Sequence, residues 1–459
     1  MPGVEEAQLA STNDRKHLVA VIGAGPAGLF AAKQLAAEGV HVVILNRDIK
    51  PGGLAEYGIY HDKYKMKEGL RKQFRQILAS PGIDYYGHVT IGRSTGLSLD
   101  VLRALGFQAI LVTAGAQGTK WLGLPGEHLR GVYHAKDLVY HYNHLPPYAG
   151  QRFEIGRRVA IVGVGNVMLD IAHWAIRDLK VDEVVAVARR GPAEVKFDKA
   201  EIQIVGRNLD LAALDAELER VRPILETIGQ DVARAREHII AGVAKALDPV
   251  SATRFRFDFL ASPTRLLGDG QDRVVGLEVE DNTLVAANGD TKAKGLGAQR
   301  AVDCDTVIFA IGDRVDESFG LPVKWNSFVK NPEPRFPIEG ISYEAYDPDA
   351  HRPIEGVFVA GWSREASTGL VGAARKDGTN GAKAVLQYLH TLPTVYNGTL
   401  EALSERLAQL GHPVVTQADW QRLEEVEHAE AQKRGLDVFK FDTDEAMLAA
   451  MGLTIAQPA

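Results

Sequence analysis

Cysteine is almost absent from this chain: among 459 residues, only Cys304 carries a thiol. A single cysteine cannot form a disulfide within the chain or a CxxC redox pair, and it cannot hold an iron–sulfur cluster through several thiolates. These three kinds of redox site are therefore excluded for the chain on its own.

Long apolar runs are missing as well. No stretch approaches the roughly 20 apolar residues that a membrane-spanning helix needs. The first sixteen residues are polar and include Glu5, Glu6 and Asp14, so they match neither a secretory signal nor an acid-poor transit peptide. The net charge is only −7, which gives no indication of bulk nucleic-acid binding. We therefore expect a cytoplasmic protein that binds neither membranes nor nucleic acids.

Glycine, in contrast, is plentiful, and it opens the first informative motif. Val19–Ile22 is an unbroken apolar run, typical of a parallel strand covered on both faces. A helix is predicted from about Pro26 to Glu38, and a second strand over Val40–Leu45. Between the first strand and the helix lies a turn with GxGxxG spacing, made by Gly23, Gly25 and Gly28. This complete βαβ pattern predicts a dinucleotide-binding turn.

The next segment combines a glycine-rich loop with a charged helix. The loop Pro51–Gly58 contains three glycines, so its backbone can lie against a flat ligand. An amphipathic helix is predicted from about Met66 to Ala79, with an apolar face made by Met66, Leu70, Phe74, Ile77 and Leu78. Its other face carries Lys67, Arg71, Lys72 and Arg75, with Lys63 and Lys65 just upstream. These cations indicate either a solvated helix face or a docking surface for a protein partner.

The opening pattern returns in the middle of the chain, at Arg158–Asp170. Gly163 and Gly165 keep the first two glycine positions, and Met168 replaces the third. The following strand ends in Arg189-Arg190, where an acid would favour the ribose hydroxyls of NAD. Two guanidinium groups favour a 2′-phosphate instead, so the pair predicts NADP, with a solvated arginine pair as the alternative.

Two further apolar strands, Ala109–Gly115 and Thr306–Gly312, each end in small residues after one of the glycine turns. The internal repeat therefore includes a turn and a closing strand in each copy. This pattern predicts an α/β fold with two Rossmann-like dinucleotide-binding domains.

The last informative segment is Gly356–Gly372. A strand is predicted to end at Gly361-Trp362, and a loop then leads through Thr368-Gly369 to a helix from about Leu370. A helix N-terminus carries partial positive charge and free N–H groups, so it could stabilise a reduced flavin ring. A generic strand–loop–helix connection is the alternative.

Taken together, these motifs resemble the adrenodoxin reductase-like ferredoxin–NADP reductases, within the larger glutathione-reductase-type fold with two dinucleotide-binding domains. The likeness covers almost the whole chain. It rests on Gly23–Gly28, Gly52-Gly53-Leu54 with Tyr57-Gly58, Leu124–Glu127, Gly163–Asp170, Arg189–Pro192 with Phe197 and Glu201, Gly361-Trp362 with Thr368–Gly372, Asp419-Trp420, and the Lys440 region. The pair Gly361-Trp362 is the most specific, because disulfide reductases of this fold usually carry Gly-Asp there.

The resemblance implies FAD and NADP as cofactors, with the NADP-binding domain inserted in the FAD-binding domain. The expected boundaries are 16–118 for the first part of the FAD domain, 119–330 for the NADP domain, and 331–459 for the second part with a C-terminal tail. The implied FAD contacts are Gly23, Gly25, Pro26, Ala27, Gly28, Asn46, Gly53, Leu54, Tyr57, Gly58, Ala114, Gly115, Gly361, Trp362, Thr368, Gly369, Leu370 and Val371. The implied NADP contacts are Gly163, Gly165, Asn166, Val167, Arg189, Arg190, Glu201 and Gly369.

The resemblance also implies an activity. Hydride would pass from NADPH to the flavin, and two single electrons would then leave for a ferredoxin-like iron–sulfur protein. Trp362 and Gly369 would flank the nicotinamide and the flavin. The family's proton-handling position, usually a histidine, aligns with Lys63, and His61 lies close by.

Three residues depart from the family pattern. Asn46 stands where the family normally has the acid that bonds the FAD ribose. Lys63 replaces the usual histidine, and Ile204 replaces an acid three residues after Glu201. Other functions therefore stay open: an electron-input subunit like the glutamate synthase small subunit, an NADPH-dependent reductase of small acceptors, or a flavin-binding sensor without turnover.

Overall fold

A computed structural model describes residues 17–287, 290–366, 369–393 and 400–453. The chain divides into two compact units. Within the described residues, the first unit contains 17–118, 140–150 and the part from 312 onwards, and the second contains 119–139 and 151–311.

The strands in chain order are β1 (His17–Ile22), β2 (Val40–Leu45), β3 (Ile83–Gly87), β4 (Ala109–Val112), β5 (Gly118–Thr119), β6 (Val132–His134), β7 (Arg158–Val162), β8 (Glu183–Val187), β9 (Arg254–Asp258), β10 (Ala261–Gly268), β11 (Val274–Ala287), β12 (Asp290–Asp303), β13 (Thr306–Phe309), β14 (Asp313–Arg314), β15 (Val323–Lys324), β16 (Ser327–Phe328), β17 (Glu344–Asp347), β18 (Arg352–Val359) and β19 (Val415–Thr416).

The α-helices are α1 (Pro26–Ala37), α2 (Leu54–Tyr57), α3 (Tyr64–Leu78), α4 (Leu99–Ala104), α5 (Ala135–Tyr142), α6 (Asn166–His173), α7 (Lys199–Val205), α8 (Leu211–Thr227), α9 (Val232–Ile240), α10 (Val371–Leu389), α11 (Leu400–Ala408), α12 (Gln417–Arg434) and α13 (Asp444–Met451).

The first unit is built on a seven-stranded sheet with the order β17-β18-β4-β1-β2-β3-β19. The inner strands from β18 to β3 run parallel, and antiparallel strands form both edges. The central strand β1 is buried on both faces: Val19 and Val21 belong to the apolar core that includes α1 and α10. Leu18 and Ala20 belong to a second core, with α4 and α11, on the other face. This two-sided burial explains why β1 lacks an alternating polar pattern.

The second unit contains a five-stranded sheet, β6-β13-β7-β8-β9, whose strand pairs are all parallel. A separate antiparallel sheet, β10-β11-β12, shares an apolar core with it through Val185 and Leu277, among others. The repeated strand pattern therefore does correspond to a second parallel sheet with its own glycine turn.

Three features of the structure differ from the expectations. Residues 140–150 lie in the first unit rather than with the NADP domain, because Tyr140 and Leu145 pack against Tyr57. Residues 312–330 also lie in the first unit, because Val315, Phe319 and Phe328 pack in a core of the first sheet. Met66 is 58% exposed, although it was assigned to the apolar face of α3, and Lys67 is buried in its place.

In the described ranges of the chain, no helix is both long and apolar enough to cross a membrane.

The thiol of Cys304 is buried, and burial raises its pKa to about 12. Because only the thiolate is a strong nucleophile, this cysteine is a packing residue rather than a reactive one.

Candidate functional site

The first glycine turn connects β1 to α1, and the structure explains the presence of glycine differently at each of its three positions. Gly23 has a φ of +104°, which L side chains rarely adopt. A Cβ on Gly28 would lie 2.0 Å from the carbonyl oxygen of Gly23, so this glycine permits close packing of helix against turn. Gly25 is different, because a Cβ there would meet no atom of the described part of the chain within 4 Å, other than its chain neighbours, and its φ is −74°. The fold itself does not require a glycine at position 25.

A second backbone segment lies directly against this turn. The N–H of Gly52 donates to the carbonyl of Ala24 at 2.8 Å, and a Cβ on Gly53 would lie 3.1 Å from the Cα of Gly25. Gly53 has a φ of +50°. The predicted glycine loop and the glycine turn therefore form one surface of bare backbone, on which a phosphate or a flat ring could rest.

Asn46, the residue in place of the expected ribose acid, has a structural role. Its side chain is buried, and Oδ1 accepts a hydrogen bond from the Ala24 N–H at 2.9 Å. Nδ2 donates to the carbonyls of Asp48 at 2.7 Å and Lys50 at 3.1 Å. Asn46 thus ties the glycine turn to the loop after β2. A carboxylate could not replace it fully, because it has no N–H with which to donate to those two carbonyls.

The loop that follows Gly53 places the other expected residues of this segment. Leu54 and Gly58 are half-buried, and Tyr57 is buried against Tyr140 and Leu145. His61 is exposed, with its ring centroid 4.5 Å from that of Tyr60. Lys63 is half-buried at the residue before α3.

The closing strand β4 ends beside the same turn. The single hydroxyl hydrogen of Thr113 is shared between the carbonyl oxygens of Ile22 and Gly23, which lie 3.0 and 2.9 Å from Oγ1. Ala114 and Gly115 follow, both half-buried, and Gly115 has a φ of +75°. Since β1, β2 and β4 are parallel neighbours, their carboxyl ends meet at one edge of the sheet.

The Gly361-Trp362 segment reaches this edge from β18 and is held by Asp377 of α10. The Gly361 N–H donates to Asp377 Oδ2 at 2.6 Å, and Arg364 Nη2 lies 2.6 Å from Oδ1. Tyr343 donates its hydroxyl to the same carboxylate at 3.1 Å. The Gly115 N–H donates to Ser363 Oγ at 3.0 Å, which joins this segment to the end of β4. Asp377 and Ser363 were not predicted, although Ser363 directly follows the motif.

Trp362 itself is half-buried, and Gly369 has a φ of +74°. Leu370 is 65% exposed and precedes the first residue of α10, Val371, without a side-chain cap. The N-terminus of this 19-residue helix therefore has backbone N–H groups available to a ligand. Thr368, which was also expected to contact FAD, lies outside the described residues.

The second glycine turn, in the other unit, repeats the same division of roles. Gly163 has a φ of +129°, and a Cβ there would lie 2.3 Å from the Ala310 carbonyl oxygen. Gly165 has a φ of −107° and open space at its Cβ position. Asn166 begins α6 and exchanges two 2.8 Å hydrogen bonds with Asp198, and Val167 is 43% exposed.

The predicted 2′-phosphate residues follow β8. Arg189 is exposed, whereas the Arg190 side chain is 20% exposed and its guanidinium donates to Asp290 Oδ1 at 3.2 Å. Glu201 is half-buried in the first turn of α7. Lys196, which was not predicted, is exposed beside the turn, because its backbone N–H donates to the Val164 carbonyl at 2.9 Å.

A cluster of buried charges lies behind the glycine loop of the first unit. Glu56 accepts two 2.7 Å hydrogen bonds from Arg71, and Lys440 Nζ lies 2.7 Å from its Oε1. Lys50 pairs with Glu427 and lies 4.0 Å from Glu56. Burial alone would raise the pKa of Glu56, but Lys440, Lys50 and Arg71 hold it well below its usual range. The carboxylate is therefore ionised.

This cluster corrects the predicted docking surface. Lys67 is buried and donates to Asn143, and burial together with Lys440 lowers its pKa to about 6. Arg71 forms an ion pair with Glu56, and Arg75 forms ion pairs with Glu68 and Glu424. Of the four proposed docking cations, only Lys72 is freely exposed. The four cannot form one docking face, because two of them point into the protein.

Comparisons with known proteins agree with this geometry. A family model described as pyridine nucleotide-disulphide oxidoreductase matches residues 17–215. The NADPH-ferredoxin reductase FprA of Mycobacterium leprae is 26% identical over 453 residues, covering 91% of this chain and 95% of the relative. The human mitochondrial NADPH:adrenodoxin oxidoreductase is 26% identical over 489 residues, covering 96% and 93%.

A solved structure, FprA from Mycobacterium tuberculosis in complex with NADPH, has a TM-score of 0.76 at 24% identity. It covers 95% of this chain and 99% of that one. The match confirms the predicted fold with two dinucleotide-binding units. Together with the two relatives, it also confirms the resemblance on which the implied function rests.

Proposed function

Since the chain is related to NADPH-dependent ferredoxin and adrenodoxin reductases, we propose that it is an FAD-containing oxidoreductase. It takes hydride from NADPH and delivers electrons one at a time to a ferredoxin-like iron–sulfur protein.

The observation that carries this proposal is the difference among the glycines of the two turns. Gly23, Gly28 and Gly163 are needed by the fold, because a side chain there would strain the backbone or clash. Gly25 and Gly165 are not needed by the fold, since no atom of the described residues, apart from the adjacent residues in the chain, lies within 4 Å of the position that a Cβ would take. Open space at the second glycine of both turns fits two dinucleotides whose pyrophosphates approach the backbone closely.

The first turn is assigned to FAD. The bare backbone of Gly25 and Gly53 would hold the pyrophosphate, and the N–H groups before Val371 would face the ring. Asn46 already donates both amide hydrogens to the protein, so it offers the ribose an acceptor at most. FAD supplies the chemistry that links a two-electron donor to a one-electron acceptor.

The second turn is assigned to NADPH. Its glycine turn and the N-terminus of α6 would hold the pyrophosphate, with Asn166 and Val167 in the first turn of the helix. Arg189 is the principal contact for the 2′-phosphate, because it is exposed, whereas Arg190 is already bonded to Asp290. Glu201 would contact the ribose.

In the hydride transfer itself, the task of the chain is to position groups rather than to supply an acid or a base. Asp377 holds the Gly361-Trp362 turn in place, and we assign Trp362 and Gly369 to the nicotinamide side of the flavin. The N-terminus of α10 would stabilise negative charge near Leu370. His61 and Lys63 remain the candidates for proton handling.

For the electron acceptor, we propose a smaller docking surface than the sequence indicated. It consists of Lys65 and Lys72, which are exposed at the start and on the outer face of α3. An acidic iron–sulfur protein would be attracted to these cations, mainly through long-range electrostatic steering.

The proposal is tested by the absorption spectrum of the purified protein, followed by anaerobic titration with NADPH and then with NADH. We expect a flavin spectrum that is bleached by NADPH at much lower concentration than by NADH. In Arg189→Ala with Arg190→Ala, the NADPH requirement should rise and NADH use should barely change.

Three results would decide against the proposal. A protein that binds no flavin would refute it, and a flavin that NADPH does not bleach would indicate a sensor. Turnover with quinones or dyes but with no iron–sulfur protein would indicate a reductase of small acceptors.

A further inference from the structure

The carboxylate of Asp290 lies within the site proposed for the 2′-phosphate, at the start of strand β12. Asp290 Oδ1 accepts a hydrogen bond from Arg190 Nη1 at 3.2 Å. Arg190 also donates to the carbonyl of Thr291 at 3.3 Å. The guanidinium that the sequence pattern assigns to NADP is therefore already bonded to an anion of the protein.

This arrangement is built by specific contacts around the arginine pair. Thr291 Oγ1 donates to Glu194 Oε1 at 2.7 Å, and Glu194 lies in the turn that follows Arg190. On the other side, Asn282 of β11 donates to the Arg189 carbonyl at 2.8 Å. The hairpin β11–β12 is thus attached to the arginine segment at two separate positions, which holds Asp290 beside Arg190.

The chemistry of the groups makes them competitors. Asp290 has a side chain 76% exposed, and its pKa is lowered by the Thr291 N–H and then by Arg190, so it is ionised. A phosphate dianion offers Arg190 more negative charge and more acceptor oxygens than one carboxylate does. A 2′-phosphate near Arg190 would displace Asp290 or be repelled by it, and either effect costs binding free energy.

We propose that Asp290 is a built-in competitor that limits the affinity for NADP(H) while leaving NAD(H) unaffected. The inference rests on the proposed function, in which the arginine pair binds the 2′-phosphate. It identifies a specificity-determining residue outside the glycine motifs, on a hairpin that the sequence pattern did not connect with the nucleotide. Since NADP⁺ must leave after each turnover, such a competitor would also favour its release.

The test compares dissociation constants of NADP⁺, 2′,5′-ADP, NAD⁺ and 5′-AMP, measured by calorimetry on the flavin-loaded protein. In Asp290→Asn, we expect the constants for NADP⁺ and 2′,5′-ADP to fall by about two- to fivefold, the range of an exposed ion pair. The constants for NAD⁺ and 5′-AMP should not change. Asp303→Asn is the matched control, because Asp303 lies on the same strand, pairs with Arg158 at 3.0 Å, and is 82% exposed.

A double-mutant cycle makes the test specific. In the Arg190→Met background, Asp290→Asn should no longer tighten NADP⁺, because the competition acts through Arg190. Weaker or unchanged NADP⁺ binding in Asp290→Asn would overturn the competitor role. If the wild-type protein bound NADP⁺ and NAD⁺ equally, the failure would lie instead with the 2′-phosphate assignment itself.

Discussion

Lys440 and Glu56 are 384 positions apart in the chain, and Lys440 Nζ lies 2.7 Å from Glu56 Oε1 in the interior. Lys440 also donates to the backbone carbonyl of Glu56 at 3.2 Å and to that of Asn143 at 3.1 Å. The C-terminal part of the chain is therefore attached to the loop that lies against the first glycine turn. Through this ion pair, packing of the tail and the shape of the proposed FAD site depend on each other.

Removing the Glu56 carboxylate should strongly destabilise the protein. In Glu56→Gln, Arg71 and Lys440 lose the buried carboxylate that faces them, whereas Lys50 keeps its pair with Glu427. Breaking a buried ion pair in this way costs about 3 to 5 kcal/mol of the free energy of unfolding. Urea denaturation followed by circular dichroism measures the loss.

The matched control is Glu68→Gln on α3. Glu68 pairs with Arg75 at 2.6 Å, but its side chain is 55% exposed, so the change should cost no more than about 1 kcal/mol. Similar costs for the two variants would show that the buried cluster contributes no more than a surface pair.

Lys67 should make stability depend on pH. Its pKa is lowered to about 6 by burial and by Lys440, from an ordinary value of 10.5. Between these values the unfolded chain binds a proton that the folded chain lacks, so stability rises with pH. Relative to Lys67→Met, the wild-type free energy of unfolding should therefore increase between pH 6.5 and 9, by up to about 1.4 kcal/mol per pH unit.

The loss of the bond to Asn143 in Lys67→Met does not depend on pH, so it shifts the two curves without changing their relative slope. Lys440, whose pKa is lowered to about 8, titrates in both proteins and largely cancels in the difference. Parallel curves for the two proteins would mean that Lys67 keeps its proton in the folded state.

The regular elements near the glycine turns could be predicted closely from sequence. Val40–Leu45 was predicted to the residue, because a run that is apolar except for His41, bounded by a glycine and a polar residue, leaves few alternatives. The turns themselves were identified because GxGxxG spacing reflects backbone geometry that is local in the chain.

The charges of α3 could not be predicted in the same way. Lys67 and Lys72 look alike in the sequence, but the partner of Lys67 is Asn143, 76 positions away. Helical periodicity places a residue on a face, and distant residues decide whether that face is covered. Asp290 could not be predicted for the same reason, because the residue it contacts, Arg190, is 100 positions away in the chain.

The contact between α1 and α10 should tolerate no side chain at Gly378. A Cβ there would lie 2.1 Å from the backbone oxygen of Ala27, which cannot move without disturbing the first glycine turn. We expect Gly378→Ala to cost about 3 kcal/mol or more in the free energy of unfolding. Gly69→Ala, in the interior of α3 with open space around it, should instead stabilise by up to about 1 kcal/mol. Thermal unfolding of both variants provides the comparison.

Reversing the exposed cations of α3 should slow electron delivery to an acidic protein acceptor. In Lys65→Glu with Lys72→Glu, we expect the rate with an acidic iron–sulfur protein to fall several-fold at low salt. The rate with ferricyanide should change little, and added salt should remove most of the difference. Lys33→Glu, an exposed reversal on α1, is the control. Equal losses of rate with both acceptors would indicate that the cations of α3 form a solvated helix face and not a docking surface.

Gly165→Ala should separate nucleotide binding from folding. The added methyl group enters open space at an ordinary φ of −107°, so the free energy of unfolding should stay within about 0.5 kcal/mol of the wild type. The same methyl group would occupy the space assigned to the NADPH pyrophosphate, so the Michaelis constant for NADPH should rise at least about tenfold, a loss of about 1.4 kcal/mol. Flavin content should not change, because the FAD assignment belongs to the first turn. Gly163→Ala, with a φ of +129° and a 2.3 Å clash with Ala310, should lower stability itself. If Gly165→Ala left NADPH kinetics unchanged in a folded, flavin-loaded protein, the second glycine turn would not be the nucleotide site.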